Sequence, residues 1–316
     1  MIRDESHFVW NERYRPQVVS DCILPLATKK LAEGIVEQGK CPTLLFTGSA
    51  GTGKTTLANC IANELNADFM IINASLETGI ANIRTKVLQF ASTVSFTDSK
   101  KITLLDEADG LSGDAQASLR AFTEEFAGNH SFIFTCNFKN KLIEPLLSRC
   151  QIIDFRIPGS EKSKLAMQFF KRVTQILDLE GIVYDKKVVA EVVNHHFPDF
   201  RRCLNELQRY SVGGIIDSGI LAEFNGDSFN ELIQTLKDKK FSAMRKWVAQ
   251  NNDLESSSLF RMFYDSAIEK LEPKSIPALV MLLSDYQFKE SFVADKEINR
   301  AAFLTEILVS GDFQWK

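Results

Sequence analysis

The sequence predicts an α/β fold: a parallel sheet covered by helices over residues 1–158, a small helical segment over 159–225 and an all-helical remainder over 226–316. Three observations predict it. Five short runs between residues 40 and 157 are almost continuously apolar, as parallel strands buried on both faces must be. The stretches between them carry apolar residues at helical spacing, and strand–helix alternation of this kind gives a helix-covered parallel sheet. Beyond Phe155 the strand texture stops and only helical periodicity is found.

The apolar runs, in order, are residues 43–47, 69–73, 102–106, 132–137 and 152–155. Leu57, Ile61 and Leu65 repeat every four residues, and Ala115, Leu119, Phe122 and Phe126 share one helical face. Ile157-Pro158-Gly159-Ser160 breaks the chain. Residues 161–179, 186–195 and 201–211 then read as a small bundle, closed by Ser211-Val212-Gly213-Gly214. After a further break at Asn225-Gly226-Asp227 come helices at 229–237, 241–250, 256–271, 276–286 and 296–309. Trp247, Phe260 and Phe263 belong in the core of that last group. His195-His196 has no cysteine or carboxylate at metal-ligand spacing and reads as a solvated helix end.

Length and composition narrow the function classes. At about 100–200 residues per domain, 316 residues make two or three domains. With 37 basic and 41 acidic residues the net charge is −4, which argues against a protein that coats nucleic acid by bulk charge and leaves a local basic stripe open. The first residues carry no apolar run of a secretory signal, and the apolar run at 278–283 is far short of a membrane span. Cysteines 22, 41, 60, 136, 150 and 203 contain no C-x-x-C and several sit in apolar runs. They read as buried free thiols of a chain in a reducing cytoplasm.

The chemistry-bearing motifs follow the strands. Gly48-Ser49-Ala50-Gly51-Thr52-Gly53-Lys54-Thr55 fits G-x-x-x-x-G-K-[ST], the Walker A loop, between an apolar run and an amphipathic helix. Glycines let successive N–H groups point at phosphate oxygens, Lys54 brings a cation to the outer phosphates, and the Thr55 hydroxyl suits Mg²⁺. The following helix adds its positive end. The run ending in Asp106-Glu107 supplies one carboxylate for Mg²⁺, through its water, and one to polarise an attacking water. Asp106-Glu107-Ala108-Asp109 also spells a helicase signature, but no Ser-Ala-Thr motif and no second ATPase lobe follow. Asn137 ends the next run and is either a turn residue or a γ-phosphate contact. Arg149 is either a surface ion pair or an arginine finger that projects into a neighbouring subunit's ATP site.

As an ordered set, the 48–55 loop, Asp106-Glu107, Asn137, Ser148-Arg149-Cys150 and Asp199-Phe200-Arg201-Arg202 resemble the AAA+ ATPases, and within them the sliding-clamp loaders. Trp10-Asn11-Glu12-Arg13-Tyr14-Arg15-Pro16 is similar to their W-x-x-K-Y-R-P opening, with Arg13 in place of Lys. Asn73-Ala74-Ser75, Ile80 and Ile83-Arg84 are similar to N-A-S-D-x-x-G-I-x-x-I-R, with Leu76 where Asp is usual and altered spacing around Gly79. Ala115-Gln116-Ala117-Ser118-Leu119-Arg120 resembles the A-Q-x-A-L-R helix. Cys22-Ile23-Leu24-Pro25, the stretch around Phe197-Pro198-Asp199 and the Gln314-Trp315-Lys316 ending resemble the ATPase subunits of T4-like bacteriophage loaders.

The resemblance implies a RecA-like parallel five-stranded sheet, a helical lid and an all-α collar. It implies Mg-ATP held by Gly51, Thr52, Gly53, Lys54, Thr55, Thr56 and Asp106, with Glu107 as catalytic carboxylate and Asn137 sensing the γ-phosphate. Arg201 would reach in from the lid and Arg149 would act in trans; Asn11, Glu12, Arg13, Tyr14 and Ile23 would wrap the adenine. Primer–template DNA would meet Thr78, Gly79, Arg84, Lys86 and Ser112, and Gln116 would couple it to the ATP site. Val94 and Phe96 would anchor the sliding clamp. The implied assembly is a ring or spiral of copies of this chain with a second, non-ATPase subunit and no membrane. A branch-migration type of DNA-translocating motor and a non-hydrolysing scaffold subunit are the alternative readings.

Overall fold

The computed structural model describes residues 7–75, 80–93, 100–126, 130–217, 219–220, 226–252 and 256–316. The chain divides into two compact units, Met1–Ile220 and Leu221–Lys316.

Successive residues of a strand face opposite ways, so a strand with apolar residues at every position needs a core on both sides. The first unit meets that need. Its strands β1 (Leu44–Thr47), β2 (Asp68–Asn73), β3 (Lys101–Asp106), β4 (His130–Cys136) and β5 (Gln151–Asp154) form one parallel sheet in the order β2-β3-β4-β1-β5. Leu44, Phe46, Ile102, Leu104 and Ile133 pack on one face with Ala32 and Ile35 of α2 (Leu26–Gln38) and Leu57 and Ile61 of α3 (Lys54–Glu64). Leu45, Leu105, Phe132 and Phe134 pack on the other with Ile83 and Val87 of α4 (Ile80–Ser92), Leu119 of α5 (Gly113–Glu125) and Leu146 of α6 (Glu144–Leu147). The register aligns Thr47 with Cys136 and Asp154, and Asn73 with Asp106. The sheet order reverses at β1, and in such sheets ligands bind beyond the carboxyl ends at that point.

The rest of the first unit is a helical lid. It comprises α7 (Gly159–Leu179), α8 (Lys186–His196) and α9 (Phe200–Ser211). Leu165, Phe169, Val173, Ile176 and Leu177 form the buried stripe of α7, and Asp185 and Asp199 cap α8 and α9 by accepting from Lys187 N and Arg202 N. The short α1 (Trp10–Arg13) is fastened to α9: Trp10 N donates to Gln208 Oε1 at 2.8 Å and Gln208 Nε2 donates to Phe8 O at 2.9 Å.

Several expectations are corrected. Strands do follow Phe155: β6 (Val183–Tyr184) and β7 (Ile215–Ile216) pair in parallel, but each is two residues long and one of each pair is exposed, so no periodicity announces them. Gly159 and Ser160 lie inside α7 rather than in a break. His196 is not solvated; it is 8% exposed, and burial lowers its pKa to about 4. The α2 helix was not legible because its buried positions include Thr28 and Ala32 rather than a large apolar stripe. Of the cysteines, Cys150 is half-buried and the other five are buried; all are free.

The second unit contains α10 (Gly226–Lys237), α11 (Phe241–Gln250), α12 (Ser256–Ile268), α13 (Ile276–Glu290) and α14 (Lys296–Val309). Helix α10 starts at Gly226, where a break was expected. Phe303 gathers Phe260, Phe263 and Tyr286 at ring-centre distances of 5.4, 5.2 and 5.6 Å, and Trp247 packs edge-on to Phe229. Inside this unit Arg300 Nε donates to Glu290 Oε1 at 2.9 Å, each side chain being 3% exposed. Asn299 Nδ2 satisfies the other carboxylate oxygen at 2.6 Å. Among the described residues no helix is long and apolar enough to cross a membrane.

Candidate functional site

The loop between β1 and α3 is shaped by glycines that only glycine can replace cheaply. Gly51 and Gly53 have φ of +72° and +94°, the left-handed region. A Cβ on Gly51 would also stand 1.8 Å from Asp199 Oδ1, and Phe200 N donates to Gly51 O at 3.0 Å. The loop therefore touches the first turn of the lid helix α9. Lys54 is 8% exposed, and its Nζ donates to Gly48 O (2.7 Å), Ser49 O (2.8 Å) and Asn137 Oδ1 (2.9 Å). Burial lowers its pKa; Cys136, Asp106 and Asp109 oppose that shift, and the charge of Arg201 adds to it.

The carboxylates sit where β3 ends. Thr55 Oγ1 donates to Asp106, 3.1 Å from Oδ1 and 3.0 Å from Oδ2. Thr135 Oγ1, on the adjacent strand β4, donates to Asp106 Oδ1 and accepts from Glu107 N at 3.0 Å. Glu107 has φ +58°, a left-handed conformation that costs a non-glycine residue about 1–3 kcal/mol. Its exposed carboxylate accepts from Ser75 Oγ, two residues past β2, with Oε2 at 2.6 Å. Ser75 Oγ is also 2.7 Å from Asn73 Oδ1, so its single proton serves one acceptor at a time. Asp109 Oδ2 accepts from Asn137 N (3.2 Å) and Phe138 N (3.0 Å), which fixes the strand end that presents Asn137 to Lys54.

One cavity joins these groups to the N-terminal segment and the lid. Asn11, Glu12, Tyr14 and Ile23 line it together with Gly51, Thr52, Gly53, Lys54, Thr55, Thr56, Asp106, Glu107 and Asn137. Arg201 lines it from α9, and Phe169, Ile176 and Leu204 give it an apolar wall. Arg13 does not line it. One step around a helix turns a side chain about 100°, and Arg13 instead pairs with Glu180 Oε1 at 2.8 Å, raising its own pKa through that hydrogen bond. Tyr14 OH donates to the same oxygen.

Among the contributors that were missed are Thr135, Ser75 as a Glu107 partner, and Arg172, which lines the cavity and donates to Asp21 O at 2.9 Å. A polar residue inside the apolar run 132–137 was the one available signal for Thr135.

The donor set fits a magnesium nucleotide. Mg²⁺ takes hard oxygen ligands, usually one or two protein groups with phosphates and water, and the Thr55 hydroxyl beside the Asp106 carboxylate is such a set. Among the described residues there is no denser group of metal-ligating side chains.

The family "ATPase family associated with various cellular activities (AAA)" matches residues 44–157. The family "Sliding-clamp-loader large subunit, AAA+ ATPase lid domain" matches residues 161–222. The sliding-clamp-loader large subunit of Enterobacteria phage T4 is 33% identical over 320 residues, 99% of this chain and 99% of its own. The chain belongs to the sliding-clamp-loader large subunits. As such it is an AAA+ ATPase and an ATP-driven clamp-loader subunit. The corresponding subunit of Escherichia phage RB69 is 37% identical over 252 residues, covering 77% of this chain and 78% of its own. The replication factor C small subunit of Archaeoglobus fulgidus is 33% identical over 253 residues, 77% of each chain. A solved structure of a Thermotoga maritima RuvB mutant shares the fold, with a TM-score of 0.55 at 17% identity over 82% of this chain and 93% of that one.

Other expected site residues of this loader subunit lie outside the cavity. Arg149 follows α6 and forms an ion pair with Glu124 of α5. Arg84 and Lys86 are exposed on α4. Ser112 is exposed before α5, where its Oγ accepts from Ala115 N at 3.3 Å. Gln116 is 2% exposed; its Nε2 donates to Leu111 O (3.0 Å) and Lys141 O (3.1 Å), and its Oε1 accepts from Ile143 N (2.8 Å). Thr78, Gly79, Val94 and Phe96 lie outside the described residues.

Proposed function

We propose that this loader subunit binds ATP to open a sliding clamp and grip primer–template DNA, and hydrolyses it to leave the closed clamp on DNA. The observation that carries the reading is the convergence of Lys54, Thr55, Asp106, Glu107, Asn137 and Arg201 on one cavity that Asn11, Tyr14 and Ile23 also line. Mg²⁺, when bound, would supply positive charge to the phosphates. Thr55, and Asp106 through water, would hold it, and Lys54 leaves its carbonyl partners for the phosphate oxygens. Glu107 takes the proton of the attacking water, and Asn137 orients to the terminal phosphate. The purine lies between the 11–14 segment and Ile23.

Arg149 acts on the ATP of a neighbouring copy. Arg84, Lys86 and Ser112, with Thr78 and Gly79, face DNA phosphates, and helix starts add N–H donors there. Gln116 relays DNA contact because it ties the start of α5 to the 141–143 loop. Val94 and Phe96 seat on the clamp. Residues 1–158, 159–225 and 226–316 serve as motor, lid and collar, the last holding copies of the chain and a non-ATPase subunit together in the cytoplasm.

The test is steady-state ATPase activity with primer–template DNA and a clamp. The pair together is expected to stimulate turnover well beyond either alone. Unchanged turnover together with DNA unwinding contradicts the proposal and favours a translocating motor.

A further inference from the structure

Arg149 has a carboxylate partner in its own subunit. Its Nη2 pairs with Glu124 Oε1 in the last turn of α5, and the same oxygen lies 3.8 Å from Arg120 Nε one turn earlier. Arg149 and Glu124 are 41% and 47% exposed, and both line a surface depression with Thr123 and Gln151. The segment carrying Arg149 is thus fastened to α5 twice: at Lys141 and Ile143 by Gln116, and at Arg149 by Glu124.

We propose that Glu124 is a positioning residue that holds the Arg149 guanidinium in its own subunit until the phosphates of a neighbour's nucleotide displace the carboxylate. The inference rests on Arg149 acting in trans. Two anions compete for one cation. A polyphosphate carries several charges and wins when presented at contact distance, and the single carboxylate wins when no neighbour is there. A half-exposed ion pair shifts an equilibrium by up to about fivefold, enough to delay engagement without preventing it. Arg120 completes the device. When Arg149 leaves, Glu124 is not left unpaired, because Arg120 is already close enough to receive it.

The test mixes two full-length chains in the presence of primer–template DNA. An acceptor, Arg149→Ala, binds ATP but lacks the arginine. A donor, Lys54→Ala, lacks phosphate binding but keeps it. Titrating donor into acceptor should restore turnover. A donor that also carries Glu124→Gln should reach half-maximal restoration at up to about fivefold lower concentration, and one with Arg120→Met at higher concentration. A Glu124→Asp donor, which keeps the charge, should behave as the parent donor, and the differences should shrink as salt rises. An unshifted half-maximal concentration for Glu124→Gln overturns the inference, as does lower turnover at saturating donor, which would make the carboxylate a support of the engaged arginine. If no donor restores turnover, the reading of Arg149 in trans is what fails.

Discussion

The Thr55 hydroxyl lies within hydrogen-bond distance of both Asp106 carboxylate oxygens, 3.1 Å from Oδ1 and 3.0 Å from Oδ2. The first turn of α3 and the end of β3 thus present one hydroxyl and one carboxylate together. Thr55→Ala and Asp106→Asn are expected to lower ATP turnover at least about 100-fold, the scale of one preorganised electrostatic contact. Nucleotide affinity should fall when measured with Mg²⁺ and change little when measured in chelator. Equal losses under both conditions would contradict the assignment.

Glu107→Gln keeps the shape of the side chain and removes its ability to take a proton. Turnover should fall by about 10²–10⁴, the usual contribution of a positioned base. Equilibrium binding of ATP should persist. A glutamine variant that turns over near the parental rate would sink the catalytic role.

Thr135→Val preserves volume and deletes the hydroxyl that links Asp106 Oδ1 to Glu107 N. Partners of this supporting kind are worth about 10–100-fold in activity. The expected signature is a fall in kcat with the fold intact by circular dichroism. No change in kcat would mean that the hydroxyl serves only the strand.

His130 predicts a pH dependence of stability. Burial, and secondarily Lys101, lower its pKa from 6.5 to about 4 in the folded chain. Between those values the unfolded chain binds the proton and the folded chain does not, so stability is lost as pH falls from about 6.5 toward 4. His196 acts in the same direction. The melting temperature should drop between pH 7 and pH 5, and His130→Phe should reduce that drop. An equal drop in the variant would contradict the assignment.

Arg300→Met leaves Glu290 as an unpaired buried carboxylate in the second unit. Breaking such a pair costs about 3–5 kcal/mol. Urea denaturation should show the loss in the transition of the second unit, and a loss below about 1 kcal/mol would place the pair among surface-like contacts.

Legibility tracked the range of the interaction. The five strands of the large sheet were read to within two residues at each end because burial on both faces writes itself locally as continuous apolar runs. Strands β6 and β7 rest on a pairing between residues 183 and 215 that no local pattern records. The same division runs through the site. Lys54, Thr55, Asp106 and Glu107 were visible because phosphate chemistry demands particular residues at fixed spacing. Thr135 and Ser75 matter through contacts between neighbouring strand ends, and Arg13 meets Glu180 rather than the cavity because facing within a single helical turn decides which of the two a side chain reaches. The ion pair of Arg149 with Glu124 joins two distant segments and was open in the sequence.

Hydrogen bonds with Gln208, and those that Glu180 accepts from Arg13 and Tyr14, bind the 8–14 segment to the lid. The wall on one side of the cavity is therefore a passenger of the lid. Arg201 on α9 and the 11–14 segment thus belong to one hydrogen-bonded body, so any displacement of α9 would move both together while Lys54 and Thr55 stay with the sheet.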